Sequence, residues 1–243
     1  MSHRTTYPPG VPCWVETSQP DPEAAAAYYG ALMGWEVDAG IARLDGRRVA
    51  GIRQAPPGSP AAFWGTFVRV ESLEVTLTVV GQEGGSVLVG PTDGVAVVAD
   101  PTGVPFGLSD RHAAEVVSAP GSWAMSALHS PDPAAAEAFY ALFGWEAEPL
   151  PGTPLTLFRL PGHEGGEPGQ ALPRDVVAVM TATEGGVPPH WAVNFRADDV
   201  DALAARATEL GGALIMPPTD APGFRNAVIA DPQGGVIAVS QPV

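Results

Sequence analysis

The sequence contains no lysine. Its 12 basic residues are all arginine, set against 27 acidic residues, and the formal net charge is −15. Without lysine there is no Schiff-base chemistry on a lysine amine, no lysine general base, and no P-loop lysine to reach a phosphate. So negative a chain lacks the basic surface that tracks nucleic acid or anionic lipid, and it suits a cationic partner. Cysteine is nearly absent too. Cys13 stands alone, so no internal disulfide can form, and this pattern predicts a cytoplasmic protein. No apolar run reaches the roughly 18 residues of a membrane span, and no basic-then-apolar N-terminal stretch marks a signal peptide. The expected partner is a small organic ligand, with no nucleic acid and no membrane.

What is present is apolar mass and turn residues. Hydrophobic residues make up 45% of the 243, with 29 glycines and 27 prolines. That length suits two domains of about 120 residues, each large enough for its own core.

The chain repeats itself. Asp21-Pro22, Tyr28-Tyr29 and Gly34-Trp35 return as Asp132-Pro133, Phe139-Tyr140 and Gly144-Trp145. The offset is 111 residues at the Asp-Pro and 110 at the Gly-Trp, so the second copy has lost one residue inside the helix. Trp64 and Arg69 recur as Trp191 and Arg196, and Gly84-Gly85 as Gly211-Gly212, all 127 apart. Ala99-Asp100-Pro101 recurs as Ala230-Asp231-Pro232, 131 apart. The division predicts a first domain at 8–110, a linker at 111–120 and a second domain at 121–243.

Each copy reads as βαβββ twice. A strand near Pro12–Ser18 leads to Asp21, an N-cap, with Pro22 at the first helical position and Gly34 as C-cap. Asp45-Gly46 is a hairpin-turn dipeptide between two strands. Leu73, Leu77 and Val80 at i, i+4, i+7 predict a helix despite their β-branched neighbours. Its repeat, Val200, Leu203, Ala204, Ala207 and Leu210, is plainly amphipathic and opens on Asp198 or Asp199.

This arrangement resembles the vicinal oxygen chelate superfamily: glyoxalase I, extradiol dioxygenases, fosfomycin-resistance enzymes and bleomycin-resistance proteins. The narrower likeness is to two-domain bacterial glyoxalase-like proteins. The Asp-Pro…Tyr…Gly-Trp signature in both copies, Asp198 to Leu203, and the closing Asp-Pro turns carry it. The resemblance implies an α+β fold, a tandem duplication of glyoxalase-like domains whose units form curved, cup-shaped mixed sheets. It also implies where metal-dependent members place their ligands. Those positions fall on Trp14 and Met125, on Gly65 and Ala192, on Gly107 and Ala238, and near Gly51-Ile52 and Val179-Met180. None of these supplies the nitrogen, oxygen or thiolate donors a divalent ion needs, so no metal and no cofactor is expected.

Strand alternation then predicts what lines the cups. Trp14, Glu16, Phe67 and Arg69 come from the first copy. Met125, His129, Asn194 and Arg196 come from the second, with His190 beside them. Small or aromatic floors with a few polar groups suit a flat organic ligand. Glu16 and His129 are the candidate catalytic residues, movers of a proton. Trp14, Phe67, Arg69, Met125, His190, Asn194 and Arg196 are the candidate ligand contacts. Exchange of units between halves would instead put Trp14 and Glu16 with Asn194 and Arg196. The bland alternatives are plain: Trp35, Trp145, Trp64 and Trp191 recur in register and read as packing, Arg69 and Arg196 as solvated edge residues. His3, His112 and His163 read as inert, and Cys13 as a buried small residue.

The expectation is a metal-independent protein that acts on or sequesters an aromatic or polyketide-like metabolite or antibiotic, as a monomer or homodimer. Two rivals stand. One is a metal-dependent lyase or dioxygenase with displaced ligands His129, His190 and Glu16. The other is a non-catalytic pseudo-dimer with degenerate cups. The Gly/Pro-rich stretch Pro149–Asp175, an insertion in the second copy, reads as a long loop beside the cup.

Overall fold

The structure is a computed structural model that describes residues 2–3, 6–56, 62–165, 172–184, 186–221 and 223–243. The first copy runs β2 (Pro12–Gln19), α1 (Pro22–Met33), β3 (Glu36–Asp38), β4 (Ile41–Leu44), β5 (Arg47–Gln54), β6 (Phe63–Arg69), α2 (Leu73–Gln82), β7 (Ser86–Thr92), β8 (Val95–Ala99) and β9 (Pro105–Ser109), after a short β1 (Ser2–His3). A two-residue β10 (Val116–Val117) pairs with β1. The second copy runs β11 (Trp123–Ser130), α3 (Pro133–Tyr140), β12 (Glu146–Pro149), β13 (Thr156–Arg159), β14 (Val176–Ala182), β15 (His190–Arg196), α4 (Val200–Glu209), β16 (Ala213–Ala221), β17 (Phe224–Ala230) and β18 (Val236–Pro242).

Local chemistry sets the boundaries. Asp21 accepts hydrogen bonds from the Glu23 and Ala24 amides, and Gly34 ends α1 in the left-handed region. Asp45 and Gly46 both have positive φ, as the two-residue hairpin between β4 and β5 requires. Asp199, not Asp198, caps α4. The residue lost from the second copy shows as geometry: α3 stops at Tyr140 and Ala141–Phe143 tightens into a 3-10 turn before Gly144.

Each copy builds one eight-stranded mixed sheet, in the orders β3-β4-β5-β2-β6-β9-β8-β7 and β12-β13-β14-β11-β15-β18-β17-β16. Units therefore pair within a copy. Trp14 lies opposite Phe67, and Met125 opposite Asn194. The groupings that a unit exchange would create, Trp14 and Glu16 with Asn194 and Arg196, are split between two sheets.

The cores do cross between copies. α1 and Trp35 pack with Phe195, Val200, Ala204 and Ile229 of the second copy, while Phe139, Tyr140 and Trp145 pack with Val68, Val98 and Phe106 of the first. Buried polar bonds close the joint. Asp231 folds its own turn by accepting from the Gln233 and Gly235 amides, and accepts from Tyr29 (2.7 Å) and Gln19 (2.7 Å) across the interface. Trp64 donates to the Tyr29 hydroxyl at 2.8 Å. Asp100, Tyr140 and Trp191 repeat the motif with the copies reversed. Trp35 donates to the Gly121 carbonyl and Trp145 to the Gly10 carbonyl, again across the joint. Bonds to a buried carboxylate are among the stronger protein hydrogen bonds. Burial first, and the neighbouring aspartate second, push both tyrosine hydroxyls well above their usual range. The most repeated residues are thus the interlock between halves. Among the described residues no helix is long and apolar enough to cross a membrane.

Candidate functional site

The sheet faces that carry the expected cup residues differ sharply between the two copies. In cup one, on the first sheet, Trp14 is 0%, Phe67 4% and Glu16 7% exposed. The floor glycines make room for this chain's own side chains. A Cβ at Gly107 would fall within the Phe67 ring, and one at Gly51 would lie 2.6 Å from Glu16 Oε2. Glu16 Oε2 accepts from Arg53 Nε (2.6 Å) and Trp14 Nε1 (3.3 Å). Both bonds fall on this one oxygen.

The segment after β9 then seals the mouth. Ser109 Oγ accepts from the His112 amide, and the His112 ring comes to 5.9 Å from the Trp14 ring. The Ala114 amide donates to the Cys13 carbonyl, and the Glu115 amide to the Arg48 carbonyl, both at 2.8 Å. The Glu115 carboxylate takes the Arg48 amide (2.8 Å) and pairs with its guanidinium (3.2 Å), which holds the carboxyl below its usual range. Burial pushes the Cys13 thiol up to about 12, so it stays neutral and unreactive. Arg69 sits at the same covered edge, where its charge only partly offsets that burial.

Three expectations are corrected here. Trp14 and Phe67 are buried and do not wall an open space, Glu16 Oε2 is held by Arg53 and Trp14, and Gly51 and Gly107 give room to Glu16 and Phe67. His112, expected inert, belongs to the plug.

Cup two keeps the register and loses the filling. Met125, Ala127 and His129 stand where cup one has Trp14, Glu16 and Ser18, and Ala192, Asn194 and Ala238 replace Gly65, Phe67 and Gly107. All six cup-two residues are part-exposed. Asn194 donates from Nδ2 to Ser240 Oγ at 2.9 Å, which leaves Asn194 Oδ1 buried with no partner. Arg196 Nε is buried and unpartnered too, and its guanidinium makes no ion pair among the described residues. An orphaned acceptor and an orphaned donor two residues apart on one strand face are costly unless something else satisfies them.

Four residues along the same strand, about 13 Å away, His190 lies directly opposite His129. Their rings stack at 4.6 Å and 7°. His190 Nδ1 sits 2.7 Å from the Pro188 carbonyl, which can only accept, so Nδ1 carries the proton. Burial, and then the His190 charge, lowers the His129 pKa, which favours the neutral ring.

A recess of about 70 Å³ opens at the other end, between the starts of β11 and β14, lined in part by Trp123, Ala124, Met125, Val176, Val177 and His163. The expected long loop at Pro149–Asp175 is partly strand, since β13 repeats β4. Asp175 pairs with Arg159, and residues 166–171 lie outside the described residues.

The fold implies a divalent metal in many relatives, and the residues here do not fit one. The implied positions in cup two carry Met125, Ala192, Ala238 and Val179. Among the described residues no three His, Cys, Asp or Glu side chains gather into a site. The displaced set also fails: His129 and His190 are together, but Glu16 lies in the other, sealed cup.

The plug and the recess were missed from sequence. One signal was available, the matched size differences Trp14/Met125, Glu16/Ala127 and Phe67/Asn194.

Comparison with known proteins agrees with this architecture. The family described as "Glyoxalase-like domain" matches residues 125–240. The chain is 32% identical to "Putative glyoxylase CFP32" of Mycobacterium tuberculosis (strain CDC 1551 / Oshkosh), covering 100% of this chain and 98% of that one. It is 30% identical to "Anthracycline biosynthesis protein DauV" of Streptomyces sp. (strain C5), covering 97% and 94%. Among solved structures, the Mn(II)-bound glyoxalase from Novosphingobium aromaticivorans superposes with a TM-score of 0.64 at 18% identity, covering 96% of this chain and 82% of that one. The 2,3-dioxygenase LapB from Pseudomonas sp. KL28 gives 0.62 at 13%, covering 96% and 92%.

Proposed function

The chain belongs to the glyoxalase-like family of the vicinal oxygen chelate superfamily, and from that premise we propose that it holds one flat, oxygen-bearing aromatic molecule in cup two, without a metal. The observation that carries this reading is the orphaned pair, Asn194 Oδ1 and Arg196 Nε, beside a floor of Ala127, Ala192 and Ala238. A ring carbonyl or phenolate accepts from Arg196 while a neighbouring hydroxyl donates to Asn194. The separation of about 13 Å between Asn194 and the histidine pair matches the long axis of a fused polycyclic. A relative named for anthracycline biosynthesis supports the same ligand class.

The chemistry available is proton transfer. Neutral His129 takes a proton from an acidic C–H or O–H of the bound ring system, and the Arg196 guanidinium stabilises the oxyanion that develops. Cup one is the structural counterpart and takes no ligand.

Titration with alizarin (1,2-dihydroxyanthraquinone), followed by calorimetry and by its visible band, tests the reading. We expect one molecule per chain, no binding in Ala238→Phe, and at least about tenfold weaker binding in Arg196→Met, the loss of one charge-assisted bond. Binding that survives Ala238→Phe, or failure of both alizarin and 2-naphthol to bind, would overturn it.

A further inference from the structure

The recess at the end of cup two has a filled twin inside the same molecule. Cys13 and Ala124 are the bulged residues of β2 and β11, each skipped where the register shifts. Arg48 and Val176 pair with Arg43 and Arg159 beside matching irregularities on β5 and β14, where Val49 and Val177 are skipped. In copy one the slot between Cys13 and Arg48 holds Ala114 and Glu115, whose two amides donate to the Cys13 and Arg48 carbonyls. In copy two the slot between Ala124 and Val176 is the recess. Duplication puts the carbonyls of Ala124 and Val176 where those acceptors stand. The chain thus displays, in its own first half, the kind of group this slot accommodates.

One difference between the slots sets the polarity. In copy one the Arg48 amide also points in, and the Glu115 carboxylate satisfies it. In copy two the Val176 amide instead donates to the Pro173 carbonyl at 3.2 Å. The copy-two slot therefore keeps acceptors for a donor and lacks that donor for an acceptor. A chain of net charge −15 favours the same sign. Volume sets the size: the recess is about half the ~150 Å³ cavity that takes a benzene ring, so it admits a substituent of a few heavy atoms and not a ring. Met125 lines the recess and continues along β11 to Ala127, one pleat further into the cup and opposite Val179.

Resting on the cup-two reading above, we infer that the recess between Ala124 and Val176 is a ligand subsite for a short hydrogen-bond-donating arm, a hydroxymethyl or an aminomethyl, on the ring system held in cup two. It sets which substituted aromatics this protein selects.

The test compares four probes of one ring: 2-methylanthraquinone, 2-(hydroxymethyl)anthraquinone, 2-(aminomethyl)anthraquinone and anthraquinone-2-carboxylate. Binding is read by calorimetry and by quenching of Trp123, which lines the recess. The wild type should bind the hydroxymethyl and aminomethyl compounds at least tenfold tighter than the methyl compound, and the carboxylate no tighter than it. Ala124→Leu, which fills the recess, should erase that advantage. Equal affinities across the series in the wild type overturn the subsite, and so does a carboxylate that gains as much as the amine. An advantage that persists in a folded Ala124→Leu does so too. If the methyl compound binds and the arms add nothing, only the subsite fails. If none of the four binds, the cup reading fails with it.

Discussion

Cup one and cup two share a strand order, a register and a bulge, and they have opposite fates. In the first, Trp14, Glu16 and Phe67 fill the face, two floor glycines, Gly51 and Gly107, yield the space that Glu16 and Phe67 need, and the segment from Ser109 to Glu115 closes the mouth. In the second, Met125, Ala127 and Asn194 stay part-exposed, and two buried polar atoms, Asn194 Oδ1 and Arg196 Nε, are left unpaired. Duplication explains how the difference is sustained. The cross-copy tyrosine-to-aspartate bond, Tyr29 to Asp231 and Tyr140 to Asp100, runs in both directions and needs both copies intact. One cup can then become core without loss of fold, and stabilise the joint, while the other stays free for chemistry. Glycine on a cup floor therefore says nothing of vacancy until the residue above it is known.

The largest test of this contrast removes the filling. Phe67→Ala should destabilise the protein by about 3–5 kcal/mol, the usual cost of truncating a buried phenylalanine, measured by urea unfolding. The matched change in cup two, Asn194→Ala, should cost about 1 kcal/mol or less, since it removes one hydrogen bond on a part-exposed face. Equal losses would mean that the two cups are equally packed, and the contrast would be gone.

A matched pair of additions gives the next largest effect. Gly107→Val forces the Phe67 ring to move and should cost about 1–3 kcal/mol by overpacking. Ala238→Val extends into a part-exposed cup and should lie within about 0.5 kcal/mol of wild type. Reversal of the order would show that cup one has room and cup two does not.

Much of the fold was legible because the repeat made each weak local signal count twice. The helix at Leu73–Gln82 is β-branched and ambiguous alone, and its copy at Val200–Glu209 resolves it. Asp45-Gly46 carried the hairpin by itself. The partnership of units was not legible. Sheets pair within a copy while cores pair across, and both arrangements bury the same alternating strand faces. The site was half legible. Strand alternation put Met125, His129, Asn194 and Arg196 on one face correctly, and Trp14, Glu16 and Phe67 on the other cup's face correctly too. What alternation cannot supply is depth: whether three large side chains on a concave face line a space or fill it. The plug was hidden for a further reason. Ser109, His112 and Ala114 hold it by bonds to backbone carbonyls and amides, and these leave no mark in side-chain pattern.

The smallest effect isolates cup two by acidity alone. The cup-one counterparts of His129 and His190 are Ser18 and Phe63, which do not titrate in this range, so the pair reports one cup. Burial and the His190 charge depress the His129 pKa in the folded protein. Below the unfolded histidine value of about 6.5, the unfolded chain therefore binds more protons than the folded one, and stability falls with pH until the folded pKa is passed. Above about pH 7 both states hold neutral rings and the term vanishes. The losses from Glu115, Asp175 and Asp201 have the same sign, because their folded pKa values also lie below the usual range, and they begin only at lower, carboxylate pH. Between pH 7 and 5.5 the histidine contribution should show as a drop in Tm of no more than about 2 °C. His129→Asn should remove it, and His190→Asn should shrink it by deleting the repelling charge. A drop that His129→Asn leaves unchanged would place the titration elsewhere. Affinity for alizarin should fall over the same interval if His129 receives the ligand's proton, and a flat profile would leave the stacked pair as a wall of the cup and nothing more.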